Sequence, residues 1–268
     1  MWNFRLLIKD FRIQVALVLT GVWLISLVTS FSWLKLLYPI LAVSLVSIFD
    51  VIFTLVKKQQ VRFPSASLVT GLILGLVLFP FEHPLALPLA ALAATFSKQF
   101  VRIDKRHIFN PAAFGIVVSM LVLGVSVPWW AAATSKLTII VVLLGMGYIL
   151  TRLKRILLPV TFLLLYGFYL IFRVGPEATL AFIFDPTTVF FSFIMLPELA
   201  TSPAAGLWRF GFGPLTAASA IAISSLSILS ETFLPGLLLA NSLSFFAKSL
   251  SVSNLFSRAS LSSKQQKL

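Results

Sequence analysis

The sequence predicts an all-α, polytopic membrane protein of about ten transmembrane helices. Composition, segmentation and charge placement each point to it. Hydrophobic residues make up 59 % of the 268 and charged residues 11 %, against about 25 % charged in a soluble domain. Ten apolar stretches approach the ~20 residues that a helix needs to cross ~30 Å of hydrocarbon. Lys and Arg collect in alternate connections, as the positive-inside rule requires.

The stretches cover residues 13–31, 34–56, 64–80, 84–99, 110–127, 136–151, 156–173, 178–197, 212–230 and 233–249. The first follows Arg5, Lys9 and Arg12. It is too long for the ~7–15-residue core of a signal peptide and reads as a retained span. Lys57, Lys58 and Arg62 follow the second stretch. Lys98, Arg102, Lys105 and Arg106 follow the fourth, Arg152, Lys154 and Arg155 the sixth, and Arg209 the eighth. The opposite connections hold only Lys35, Lys136 and Arg173, with the acids Glu82, Glu177 and Glu231. An even number of spans with both ends in the cytoplasm satisfies this pattern, in a cell inner (plasma) membrane. Residues 1–250 form one transmembrane domain, and the Ser-, Lys- and Gln-rich stretch 251–268 reads as a disordered cytoplasmic tail.

Ten spans divide into halves, 13–127 and 136–249, of five each. Five is odd, so the halves have opposite orientation. Inverted repeats of this kind put a site near the midplane, lined by discontinuous helices. The third stretch opens on Pro64-Ser65-Ala66-Ser67 and contains Thr70-Gly71. The eighth is interrupted by Asp185-Pro186-Thr187-Thr188.

A net charge of +13 would suggest a nucleic-acid partner in a soluble protein. Here the inner connections account for it, and the partner it implies is anionic lipid. With no cysteine, disulfides, thiolate metal sites and a cysteine nucleophile are excluded. No phosphate-binding glycine loop or nucleophile elbow occurs. His83 and His107 are too far apart in sequence to form a metal pair.

Three places carry chemistry. Asp50 lies near the inner end of the second stretch, either as a functional intramembrane acid or as an interfacial residue facing Lys57 or Lys58. Arg106-His107-Ile108-Phe109-Asn110-Pro111 pairs cations with a helix start. Asn110 suits the N-cap and Pro111 the first turn, and such a terminus attracts anions. Pro197-Glu198-Leu199-Ala200-Thr201-Ser202-Pro203 interrupts an apolar context, where backbone needs protein or water partners. Asp185 reads either as a cavity residue or as the cap of Pro186-Thr187-Thr188.

Three segments, in order, resemble the NqrB/RnfD family: Ser65-Ala66-Ser67-Leu68-Val69-Thr70-Gly71-Leu72, Phe109-Asn110-Pro111-Ala112-Ala113-Phe114-Gly115, and Phe190 to Glu198 with Thr201-Ser202-Pro203. That family comprises membrane subunits of the sodium-pumping NADH:quinone oxidoreductase and of the Rnf ferredoxin:NAD oxidoreductase. The resemblance implies ten spans in an inverted repeat, similar to urea transporters. It implies FMN or riboflavin, with partner subunits that bind flavin, ferredoxin or NADH. Arg106, Asn110 and Pro111 would lie by the flavin or its phosphate. Ser65, Thr70, Gly71, Asp185, Glu198, Thr201 and Ser202 would line the cavity. The family's covalent flavin sits on a threonine of a Ser-Gly-Ala-Thr motif. None occurs here, the nearest strings being Glu177-Ala178-Thr179 and Thr187-Thr188, which counts against covalent attachment. The alternative is a small-solute or ion transporter of the same architecture without redox activity.

Overall fold

The computed structural model describes residues 10–60, 65–103, 106–203 and 205–247. Arg5, Lys9, Arg62, Lys105 and the 251–268 tail lie outside these residues. Each apolar stretch holds a helix, or a helix pair for the eighth. They are α1 Phe11–Thr29, α2 Trp33–Val56, α3 Ser65–Val77, α4 Ala86–Phe100, α5 Pro111–Leu123, α6 Leu137–Arg152 and α7 Leu157–Val174. Then come α8 Pro176–Ile183, α9 Pro186–Phe190 running into a π-helical turn Phe191–Met195, α10 Trp208–Ser225 and α11 Phe233–Ala247. Among the described residues the strand content is one two-stranded hairpin, β1 Arg102–Ile103 and β2 Arg106–His107.

Polar caps set several helix starts. The Asp10 carboxylate accepts from Arg12 N at 2.9 Å and opens α1. Ser32 opens α2, accepting from Lys35 N at 3.1 Å. Asn110 opens α5, with Pro111 in its first turn. These residues satisfy amide donors that a helix leaves without an internal partner.

Three helices, α1, α2 and α7, are long and apolar enough to cross a membrane. The pair α8–α9 makes a fourth if its 54° bend at Phe184-Asp185 is one broken span. Helices α3, α5, α6 and α11 are apolar but shorter. At 13 residues, α3 extends only about 20 Å at ~1.5 Å per residue.

The packing fits lipid as the solvent. Val28, Leu144 and Phe172 are exposed by 86 %, 71 % and 76 %, while Ser26, Ser67, Ser97 and Thr216 are fully buried. In lipid an apolar exterior is not driven inward, so helices meet through small residues that allow close approach. A Cβ on Gly75 of α3 would lie 2.5 Å from Pro39 Cα of α2. One on Gly213 of α10 would lie 2.5 Å from Leu158 O of α7. Gly145 of α6 meets Val18 of α1, and Gly21 of α1 meets Val141 of α6.

Gly213→Val should therefore lower thermal stability in detergent, by about 1–3 kcal/mol for overpacking. Gly147→Ala, with nothing within 4 Å of the added Cβ, should leave stability unchanged or slightly raised.

Candidate functional site

One cavity of about 790 Å³ opens at the end of the bundle where α2 and α4 finish and α3 and α5 begin. Its walls come from both halves of the chain. Asp50 and Thr54 of α2, Ser65, Thr70 and Ile73 of α3, Lys98 and Gln99 of α4, and Asn110 and Pro111 of α5 contribute. Arg12 of α1, Arg102 and His107 of the hairpin, Met146 of α6, and Ile194, Pro197 and Glu198 beyond α9 complete it. Starts and ends of successive helices meet here, so the helices alternate in direction.

Asp50 is the most heavily partnered acid of the cavity. Its Oδ2 lies 2.9 Å from Lys98 Nζ and accepts from Ser67 Oγ at 2.7 Å. Its Oδ1 accepts from Gln99 Nε2 at 2.8 Å. Its cation is thus Lys98 of α4, rather than Lys57 or Lys58 on the neighbouring turns. Lys57 instead donates to the Gln99 carbonyl and lies over the Phe100 ring at 4.4 Å. Three partners offset the desolvation of a carboxylate in an apolar bundle.

The breaker cluster after α9 is held by its carbonyls. Asn110 Nδ2 donates to Met195 O at 2.9 Å while its Oδ1 caps α5. Ser202 Oγ donates to Leu196 O. The Arg155 guanidinium donates to the carbonyls of Pro197, Glu198, Leu199 and Ser202 at 3.1–3.4 Å. A π-helical turn loosens the helical ladder just before, a feature frequent at functional sites. Glu198 Oε2 accepts from Thr201 N at 2.9 Å and Thr201 Oγ1 at 2.5 Å. Its Oε1 faces His107 Nε2 at 3.9 Å, too long for a hydrogen bond. Burial pushes the Glu198 carboxyl up, but the His107 imidazole and the Thr201 hydroxyl outweigh it and hold the group below its ordinary range.

Of the residues singled out in the sequence, Asp50, Ser65, Thr70, His107, Asn110, Pro111 and Glu198 line this one cavity. Thr201 and Ser202 lie behind it and orient the Glu198 segment. Gly71 packs against Val43 of α2. Asp185 accepts from Thr187 N at 2.9 Å and caps α9, the capping alternative. Thr179 bonds back to Gly175 O within α8, and Thr188 is buried at the start of α9. None of Thr179, Asp185, Thr187 and Thr188 borders the cavity. Arg106 belongs to β2, and its side chain lies outside the described residues. Lys98 and Arg155 were read only as cations of inner connections, and Gln99 was not singled out. No local pattern marks their partners, which lie more than forty positions away. No known family model matches the chain, and no curated protein matches it.

Lys98→Ala strands the Asp50 charge. Because both side chains keep some contact with solvent, the loss is expected near the lower end of the ~3–5 kcal/mol for a broken buried pair. Asp50→Asn combined with Lys98→Ala should recover part of it in thermal unfolding. Glu198 predicts a pH signature. A carboxyl held low in the fold stabilises above its ordinary range, and that stability fades as pH falls through the lowered folded value. The stability gap between wild type and Glu198→Gln should be widest near neutral pH and close in acid.

Proposed function

We propose that the chain is an integral membrane subunit of an electron-transport system of the Rnf and Nqr type, and that its cavity binds flavin without a covalent bond. The observation that carries this reading is the convergence of the three resembling segments on one cavity: Ser65 and Thr70, Asn110 and Pro111, and Glu198. Its volume falls in the ~300–1,000 Å³ range of small-molecule sites. The donor set fits the group. Arg12 and Arg102 bring positive charge to the cavity for a phosphate, Lys98 being paired with Asp50, and the Oε1 of Glu198 is left by Thr201 to accept from a ring N–H. Bound flavin would supply one- and two-electron transfer, while these side chains bind and orient it. Thr179, Thr187 and Thr188 border no part of the cavity, which agrees with non-covalent binding. Flavin-, ferredoxin- or NADH-binding subunits would exchange electrons with it.

The ten-span inverted repeat is part of the proposal, and the contacts support it. Helix α2 packs on α3 and α4, as α7 packs on α8 and α10. Helix α1 meets α3 as α6 meets α9. Gly115 of α5 presses on Ala90 of α4 as Gly236 of α11 presses on Ala220 of α10. The α1–α6 contact is reciprocal, each glycine facing the other helix's valine. A shift of five spans relates each pair. Arg12, Lys98, Arg102 and Arg155 all lie at the cavity end, which supports a cytoplasmic opening.

Purified protein, expressed with its partner subunits, should carry visible flavin absorbance that separates from the chain on denaturation. A well-folded sample without flavin, alone or with partners, would sink the reading. The repeat architecture favours one second reading, a transporter of a small solute or ion. Solute movement in liposomes without redox partners would select it.

A further inference from the structure

The segment between the two halves is tightly folded. Trp129 is 3 % exposed and adopts φ +52°, a conformation uncommon for a bulky side chain. The other described non-glycine residues with positive φ, Lys58, Lys154 and Ser227, each follow a helix C-cap. Trp129 does not, and strain of this kind concentrates at gates and switches. Its indole Nε1 donates to Glu231 Oε2 at 2.8 Å, 102 positions away, and its ring stands edge-on to Phe190 at 5.8 Å. Glu231 Oε1 in turn accepts from the amides of Phe233 and Leu234 at the start of α11.

The same segment closes α3. Trp130 Nε1 donates to Gly75 O at 3.1 Å, and the amides of Ala131 and Ala132 each donate to Leu76 O at 3.0 Å. On α3 the cavity lining runs from Ser65 to Ile73. The plug thus takes the carbonyls two and three positions beyond the deepest α3 residue of the cavity.

We propose that residues 129–132 form a gate at the blind end of the cavity, latched by the Trp129–Glu231 hydrogen bond, on a passage for a small hydrophilic solute or ion. Closed, the strained Trp129 backbone and the three bonds to Gly75 and Leu76 seal the far end. Released from Glu231, the segment can relax to an ordinary backbone and uncover Ile73 from that side. The inference rests on the cavity and not on flavin.

The chain has no cysteine, so a single Ile73→Cys is a clean reporter. In oriented membrane vesicles a membrane-impermeant maleimide should label it from the cavity side only. Adding Glu231→Ala, which removes the latch bond and both α11 amide bonds, should raise labelling from the far side by roughly tenfold or more, since the latch bond alone accounts for about that factor. Trp129→Phe, which keeps a ring and removes only the N–H, should do the same and serves if Glu231→Ala fails to fold. Far-side protection that persists in a folded latch variant overturns the gate. So does failure to label from the cavity side. Labelling needs no flavin, so its failure leaves the electron-transport reading standing, and a flavin-free sample leaves the gate standing.

Discussion

Every backbone carbonyl in an apolar bundle needs a partner from the protein itself, and this requirement organises the molecule. Lipid offers no donors, so a helix that stops or bends at depth must have its loose carbonyls met from elsewhere. Here two elements stop short. Helix α3 ends at Val77, and Trp130, Ala131 and Ala132 take its Gly75 and Leu76 carbonyls. The α9 run ends at Met195, and Asn110, Ser202 and Arg155 take the carbonyls that follow. Apart from Ser202, which reaches back only to Leu196, the donors arrive from distant sequence, which ties the broken elements into the bundle.

The site follows from these solutions. Because α3 is short, its start and the ends of α2 and α4 enclose space rather than hydrocarbon-facing rods. Because Arg155 gathers the carbonyls from Pro197 to Ser202, Glu198 is presented toward His107. Asp50 and Lys98 tolerate burial only as a bonded pair, with Ser67 and Gln99 completing the acid's partners. Glu231, at the opposite end of α3, is held by one indole and two amides. Burial raises its carboxyl above the usual range despite them.

Much of this was legible in the sequence because the signals are local. Apolar run length located each helix, and Asn110-Pro111 and Asp185-Pro186 marked caps by turn chemistry that acts within three residues. The Phe184-Asp185 break was readable for the same reason. Pairings set by packing were not legible. One alternative for Asp50 had it facing Lys57 or Lys58 just past its own helix, yet helix crossing brings Lys98 to it. Arg155 read as one more inner-loop cation, whereas it is the donor that shapes the Glu198 segment. Trp129 and Trp130 carried no pattern at all, since a strained backbone and a hydrogen bond to Glu231 exist only after the halves have met.

The central claim is that a water-facing cavity is built where interrupted helices have their carbonyls answered by side chains from both halves. The direct measurement is a cryo-electron-microscopy structure in lipid nanodiscs, at a resolution that shows side chains. The account predicts Asp50, Lys98 and Glu198 on one aqueous cavity, with Arg155 seated on the Pro197–Ser202 carbonyls. A bundle in which Asp50 and Glu198 face different compartments, or in which Arg155 points to lipid headgroups, would contradict it.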